Sequence, residues 1–307
     1  MTSSSTPRPL FGALLLLAAA IVWGFAFVPQ KMTVVGLPPM TATALRFLIA
    51  APLAFALANK RVQQPGVSVG AAVLLGFILF AIYSLQTAGL VYAPVARVSL
   101  ITGMYAVFVP LFAPLFGHAR PTLLHWAGVL LATAGLLALT GVVGGTGDLL
   151  AVPLNKGDLF VLAHAIISAF QVLLVGKLAQ KADPRALNAI QLGTVIALAL
   201  PVALVVDGVP SLASISTTTW LSFGYLAVFS TVLAFTCQIV GQRYTSPPTA
   251  AVIMLLETPL GVIGALLFLK EQMAPLQWLG AAVLLSGVCV SLYAEMQRVR
   301  ASAAPAA

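Results

Sequence analysis

The sequence predicts an all-α integral membrane protein of ten transmembrane helices, arranged as two inverted five-helix repeats. Three observations predict it: a composition almost without charge, ten apolar runs of spanning length, and a match between the first and second parts of the chain. Apolar residues make up 61% of the 307 residues and charged residues 7%, with a mean hydropathy of +1.06. A soluble domain carries about 25% charged residues. So few charges cannot cover a water-facing surface, so lipid must meet most of this one. Lipid offers the backbone no hydrogen-bond partner, which leaves helices or a closed barrel. The short alternating segments of a membrane barrel are absent.

The apolar runs place spans at 10–29, 39–58, 69–92, 96–116, 123–143, 157–177, 186–206, 219–242, 249–269 and 275–294. Pro38-Pro39, Lys60-Arg61, Arg120-Pro121, Asp183-Pro184 and Pro247-Pro248 punctuate them. The run from Leu10 to Val22, preceded by Arg8, has the outline of a signal peptide. It continues into Trp23-Gly24-Phe25, so it reads as a retained first span. Residues 1–9 and 295–307 are then terminal tails, and 144–156 is a linker between repeats at 10–143 and 157–294.

Loop charges orient the chain. One set of loops and tails holds Arg8, Lys60, Arg61, Arg120, Lys177, Lys181, Arg185, Arg243, Arg298 and Arg300. The opposite set holds Lys31, Arg97, Lys156 and Lys270. Cationic loops stay in the cytoplasm, which puts both termini there. The net charge of +8 is this bias. It does not signal nucleic acid, because no basic patch interleaved with aromatics occurs.

The repeat is visible residue by residue. A shift of 145 lays Phe25 on Phe170 and Pro39 on Pro184. A shift of 152 lays Gln86 on Gln238, Gly89 on Gly241, Tyr92 on Tyr244, Trp126 on Trp278, Gly128 on Gly280 and Gly135 on Gly287. Five spans per half is odd, so the second half enters the membrane upside down. That architecture belongs to transporters and places a substrate site where the halves meet.

Polar side chains within spans point inward, away from lipid. His164, Ser168 and Gln171 share one helix face. They line a cavity or bond neighbouring helices together. The same pair of readings holds for Tyr83, Gln86 and Gln238, and for Ser99, Thr102 and Tyr105. Trp23 aligns with Ser168 and walls the cavity or packs the core. Glu257 is the one acid deep in a span. It is a proton site, an ammonium-binding carboxylate, or a structural cap. Arg46 lies two turns into the second span and is read as structural, snorkelling outward or pairing with a carboxylate. Pro110, Pro114 and Pro259 are gate or kink positions, since proline softens a helix. Tyr92, Tyr244, Trp126 and Trp278 sit near span ends as interface anchors, and Lys270-Glu271 as a rim pair. Gly128, Gly135, Gly280 and Gly287 form a small-residue stripe that either packs the halves together or makes a homodimer.

No phosphate loop, metal-ligand cluster or nucleophile motif occurs, so no cofactor, metal or enzymatic activity is expected. Cys237 and Cys289 lie in apolar runs and read as buried side chains. His118 and His125 flank a basic loop and read as solvated.

Trp23-Gly24-Phe25-Ala26-Phe27, Arg46-Phe47-Leu48-Ile49-Ala50, Leu256-Glu257-Thr258-Pro259, Leu269-Lys270-Glu271 and Pro275–Ala282 together resemble the drug/metabolite transporter superfamily, in its EamA-type branch. One departure is Ala119, where the family often carries an acid aligned with Glu271. The resemblance implies alternating access and export of small metabolites, most like bacterial inner-membrane amino-acid exporters. The expected substrate is an amino acid or a similar small neutral metabolite, crossing through a neutral-lined cavity. The alternative is a hydrophobic drug or purine-like metabolite, suggested by Trp23, Tyr83 and Tyr105. A membrane-embedded lipid-modifying enzyme and a channel stand as outsiders.

Overall fold

A computed structural model describes residues 8–93, 95–117, 120–139, 156–211, 215–269 and 275–303. The predicted linker lies almost wholly outside these residues, as do His118, Ala119, Lys270 and Glu271.

Helices occupy every predicted span. The first three are α1 (Arg8–Gly36), α2 (Pro39–Ala58) and α3 (Val69–Tyr92). The fourth is broken into α4 (Val95–Gly103) and α5 (Tyr105–Phe112), with a 3-10 turn at Ala113–Phe116. The fifth is α6 (Leu123–Leu139), the sixth α7 (Lys156–Leu178) and the seventh α8 (Pro184–Val206). The eighth joins α9 (Thr217–Tyr225) to α10 (Ala234–Gly241) through a π-helical stretch, Leu226–Leu233. The ninth is broken into α11 (Pro247–Met254) and α12 (Glu257–Leu269), and the tenth is α13 (Pro275–Ala303). Six of these spans are long and apolar enough to cross a membrane as single helices. Leucines, valines and phenylalanines such as Leu57, Val205, Leu221 and Phe268 stand exposed on the outer faces, where lipid would meet them.

Starts are set locally. Proline opens α2 and α8, where its missing N–H costs nothing. Ser68 and Ser216 cap α3 and α9, each hydroxyl accepting a backbone N–H at 3.2 Å. The breaks are local too. The ring of Pro259 cannot share space with the Leu255 carbonyl one turn back, and the ninth span breaks at Leu255-Leu256. Pro259 therefore begins a helix rather than kinking one. The fourth span breaks at Met104, six residues before Pro110 and beside the weak helix former Gly103. Pro110 sits within α5 and Pro114 in the turn that ends it.

The two breaks coincide under the repeat, since the shift of 152 carries Met104 to Leu256. Packing repeats as well. The first span packs on the eighth and ninth, and the sixth packs on the third and fourth. The second and seventh spans pack together, as do the fifth and tenth. A pseudo-twofold relation between inverted halves produces this pattern.

The glycine stripe is used inside the chain. A Cβ on Gly128 would lie 2.9 Å from the Gly287 carbonyl oxygen, and one on Gly135 would lie 2.7 Å from that of Gly280. Helices α6 and α13 close backbone to backbone here, so the stripe joins the halves and is not free to make a dimer.

Candidate functional site

The seam between the halves encloses a cavity of about 650 Å³, counting the part open to solvent. Of the predicted cavity residues, Trp23, Tyr83, Gln86, Thr102, Tyr105, His164, Ser168, Gln171 and Gln238 line it, together with Glu257. Ser99 does not. It lies one turn before Thr102, buried, its hydroxyl without a partner among the described residues. Pro110, Pro114 and Pro259 lie outside the lining.

Close approach of backbones brings these groups together. A Cβ on Gly24 would sit 2.8 Å from the Glu257 carbonyl oxygen, so glycine there lets α1 press onto the start of α12. Trp23 and Glu257 then face the same space. The Trp23 indole N–H donates to the Ser230 carbonyl at 2.8 Å, and its ring meets Phe235 edge-on at 5.2 Å. Tyr83 meets Phe235 at 6.1 Å. The repeat lays Tyr83 on Phe235, so this pair comes from equivalent positions.

The amides are partly committed to each other. Gln171 and Gln238 exchange two hydrogen bonds, at 3.3 and 3.0 Å. Gln86 accepts from Gln30 at 3.2 Å, and Gln30 also lines the cavity. The helix-bonding and cavity-lining readings of these glutamines are therefore both realised. His164 Nδ1 lies 3.0 Å from the Ile82 carbonyl. A carbonyl only accepts, so Nδ1 carries the hydrogen and Nε2 is left for the cavity.

Arg46 departs from its expectation. It does not snorkel, and it meets no carboxylate among the described residues. It is 4% exposed, lines the cavity, and donates to the Thr231 hydroxyl at 2.7 Å, the Ser230 hydroxyl at 2.9 Å and the Tyr83 hydroxyl at 3.1 Å. Its guanidinium carbon stands 4.3 Å from the Tyr83 ring centroid. The cavity is thus not lined by neutral groups alone: it holds one arginine and one glutamate. Sequence reasoning also missed Gln30, Ser230 and Phe235. The adjacent hydroxyls of Ser230 and Thr231 in an apolar run were the available signal, and nothing local said that they face Arg46.

At the end where Lys60 and Arg61 lie, the halves are tied. Arg61 pairs with Asp183 at 2.9 Å, and the Asp183 N–H donates to the Pro65 carbonyl at 2.8 Å. Within the second half, Arg243 donates to the carbonyls of Ala179 and Ala182. At the opposite end the Asp207 carboxylate accepts from the Thr41 N–H at 2.7 Å. No group of three metal-ligating residues occurs among the described residues.

The pattern of the EamA-like transporter family matches this chain twice, over residues 10–141 and 155–293. The chain belongs to the EamA-like transporter family. It is a multi-pass membrane transporter and not an enzyme. It is similar to an uncharacterized inner membrane transporter, YedA, of Escherichia coli (27% identical, covering 91% of this chain and 89% of that one). A probable amino-acid metabolite efflux pump of the same organism is 28% identical, over 91% of this chain and 94% of the relative. A crystal structure at 19% identity superposes with a TM-score of 0.76 over 93% of this chain and 98% of the other, which bears on the fold alone.

Proposed function

We propose that this EamA-family chain exports amino acids or similar small zwitterions by alternating access, with the seam cavity as the binding site. The observation that carries this reading is the lining. Amides, hydroxyls, an imidazole, one arginine and one glutamate converge there from both halves. Their formal charges cancel, which suits a ligand that is polar but neutral overall. The relative named as a probable amino-acid metabolite efflux pump supports the class of substrate. Inverted halves of near-equal packing supply two arrangements of the seam related by the pseudo-twofold, and rocking between them exposes the cavity to each side in turn. Pro110, Pro114 and Pro259, beside the two broken helices, are proposed as the points where the moving spans bend. The repeats are taken as 10–143 and 157–294. The bias of the loop charges supports cytoplasmic termini, and the inner-membrane relative supports a bacterial inner membrane as the location.

Purified protein in liposomes should carry radiolabelled neutral amino acids. Gln86→Ala or His164→Ala should slow the flux about tenfold, as expected for losing roughly 1.4 kcal/mol of ligand contact. Failure to carry any amino acid overturns the substrate class. The aromatic group of Trp23, Tyr83 and Phe235 favours a second reading, a hydrophobic drug or purine-like metabolite, and thermal stabilisation by such compounds but not by amino acids would select it.

A further inference from the structure

We infer that the cavity holds its substrate in one orientation, the carboxylate on Arg46 and the ammonium on Glu257. This rests on the reading of the cavity as a site for small zwitterions. Arg46, from the first half, has five N–H donors. Nε takes one hydroxyl and Nη2 takes two, which leaves both donors of Nη1 without a partner among the described residues. All three acceptors are neutral. A buried guanidinium that meets only hydroxyls keeps its full charge uncompensated until a counter-charge arrives. The fixed hydroxyls and the Tyr83 ring beneath it hold the guanidinium in place. The group remains preorganised for an anion that the described residues do not supply.

Glu257 presents the complementary case from the second half. It is 7% exposed and lines the same cavity. Its carboxylate makes no hydrogen bond and no ion pair among the described residues. It is the first residue of α12, a 13-residue helix. An ionised carboxylate only accepts, and an ammonium brings three donors. Arg46 and Glu257 do not pair with each other. A small zwitterion answers both needs at once, and neither an amine nor an acid alone does. Because the two groups belong to different halves, a bound zwitterion also bridges the seam.

The expected consequence is selectivity at both ends of the ligand. The full-length protein in liposomes is screened with the twenty radiolabelled L-amino acids. The one carried fastest is then competed with its own amide and its own N-acetyl derivative. In the wild type each derivative should compete at least about tenfold less well than the parent, the worth of one charge contact of roughly 1.4 kcal/mol. Arg46→Gln should erase discrimination against the amide and keep it against the N-acetyl form. Glu257→Gln should do the reverse. Arg46→Lys, which keeps a cation, should keep discrimination against the amide. Flux in which wild-type protein accepts amide or N-acetyl forms as well as the parent overturns the orientation and leaves the substrate class standing. So does loss of both discriminations by either glutamine variant. Where Arg46→Gln does not fold, the wild-type competition and Arg46→Lys decide. No flux of any amino acid overturns the substrate class, and the orientation with it.

Discussion

The third and eighth spans hold equivalent places in the two halves, and the repeat lays Tyr83 on Phe235 and Gln86 on Gln238. Helix α3 runs unbroken from Val69 to Tyr92, whereas the eighth span widens into π-helix over Leu226–Leu233. A π stretch inserts a residue and loosens the ladder of backbone bonds, which is why such stretches mark functional sites. Here the Thr231 hydroxyl donates to the Leu226 carbonyl at 2.8 Å, and the Ser230 carbonyl accepts the Trp23 indole N–H. The two hydroxyls thereby reach Arg46. In the first half the matching residues are Ile78 and Leu79, with no cation to meet. Other mates diverge the same way: Arg46 lies on Gln191, and Tyr105 on Glu257. The backbone is nearly symmetric and the chemistry is not. The difference makes the cavity electrically polar, with the base contributed by one half and the acid by the other.

The largest expected effect comes from erasing that difference. Ser230→Ile with Thr231→Leu, which gives the eighth span the residues of the third, strips Arg46 of two partners. Unfolding in detergent should come easier by about 3–5 kcal/mol, the cost of stranding a buried charge. In an Arg46→Met background the same two changes should cost far less, because no charge remains to strand. Equal costs in both backgrounds would mean that the hydroxyls serve the π-helix and not the arginine.

A smaller effect probes the part of the molecule that is symmetric. Gly135 and Gly287 are repeat mates, and a Cβ on either runs into backbone of the opposite helix. Alanine at each should destabilise by about 1–3 kcal/mol, and by similar amounts. A marked inequality, measured by thermal unfolding, would break the equivalence of α6 and α13.

The smallest effect concerns how the seventh span starts compared with its mate, the second. Asp183 caps α8, its carboxylate accepting from the Arg185 and Ala186 amides at 3.0 and 3.1 Å, while the matching Pro38 offers α2 no side-chain cap. Partial burial pushes the Asp183 carboxyl up, but the amides of Ala186 and Arg185 and the Arg61 guanidinium outweigh it and hold it below its ordinary value. Such a group stabilises the fold above the ordinary carboxylate value of 3.8 and stops doing so as pH falls through the lower native one. Asp183→Ala should therefore cost about 1 kcal/mol at neutral pH. The gap from wild type should close in acid, as followed by unfolding temperature against pH.

Much of the site was legible. The stripe of His164, Ser168 and Gln171 could be read because the spacing of a helix puts those residues on one face, and that face does meet the cavity. Ser99 was misjudged because sharing a face says nothing about depth. Arg46 was expected to snorkel or to meet a carboxylate, and it meets hydroxyls instead. Its hydroxyls lie 184 and 185 residues away in sequence, on a span whose π geometry no local pattern announces. The glycine stripe was seen, but its partner was not.

What the amino-acid order determined alone is the number of spans, their inversion between halves and the polar residues that shun lipid. Each follows from local apolarity or from matching one stretch against another. Tertiary structure decided which of those residues share one cavity, how Arg46 is held, and that Gly128 and Gly135 close on α13 rather than on a second copy. Those outcomes depend on how each helix is rotated and how closely it approaches neighbours distant in the chain. Side-chain packing across the seam sets both.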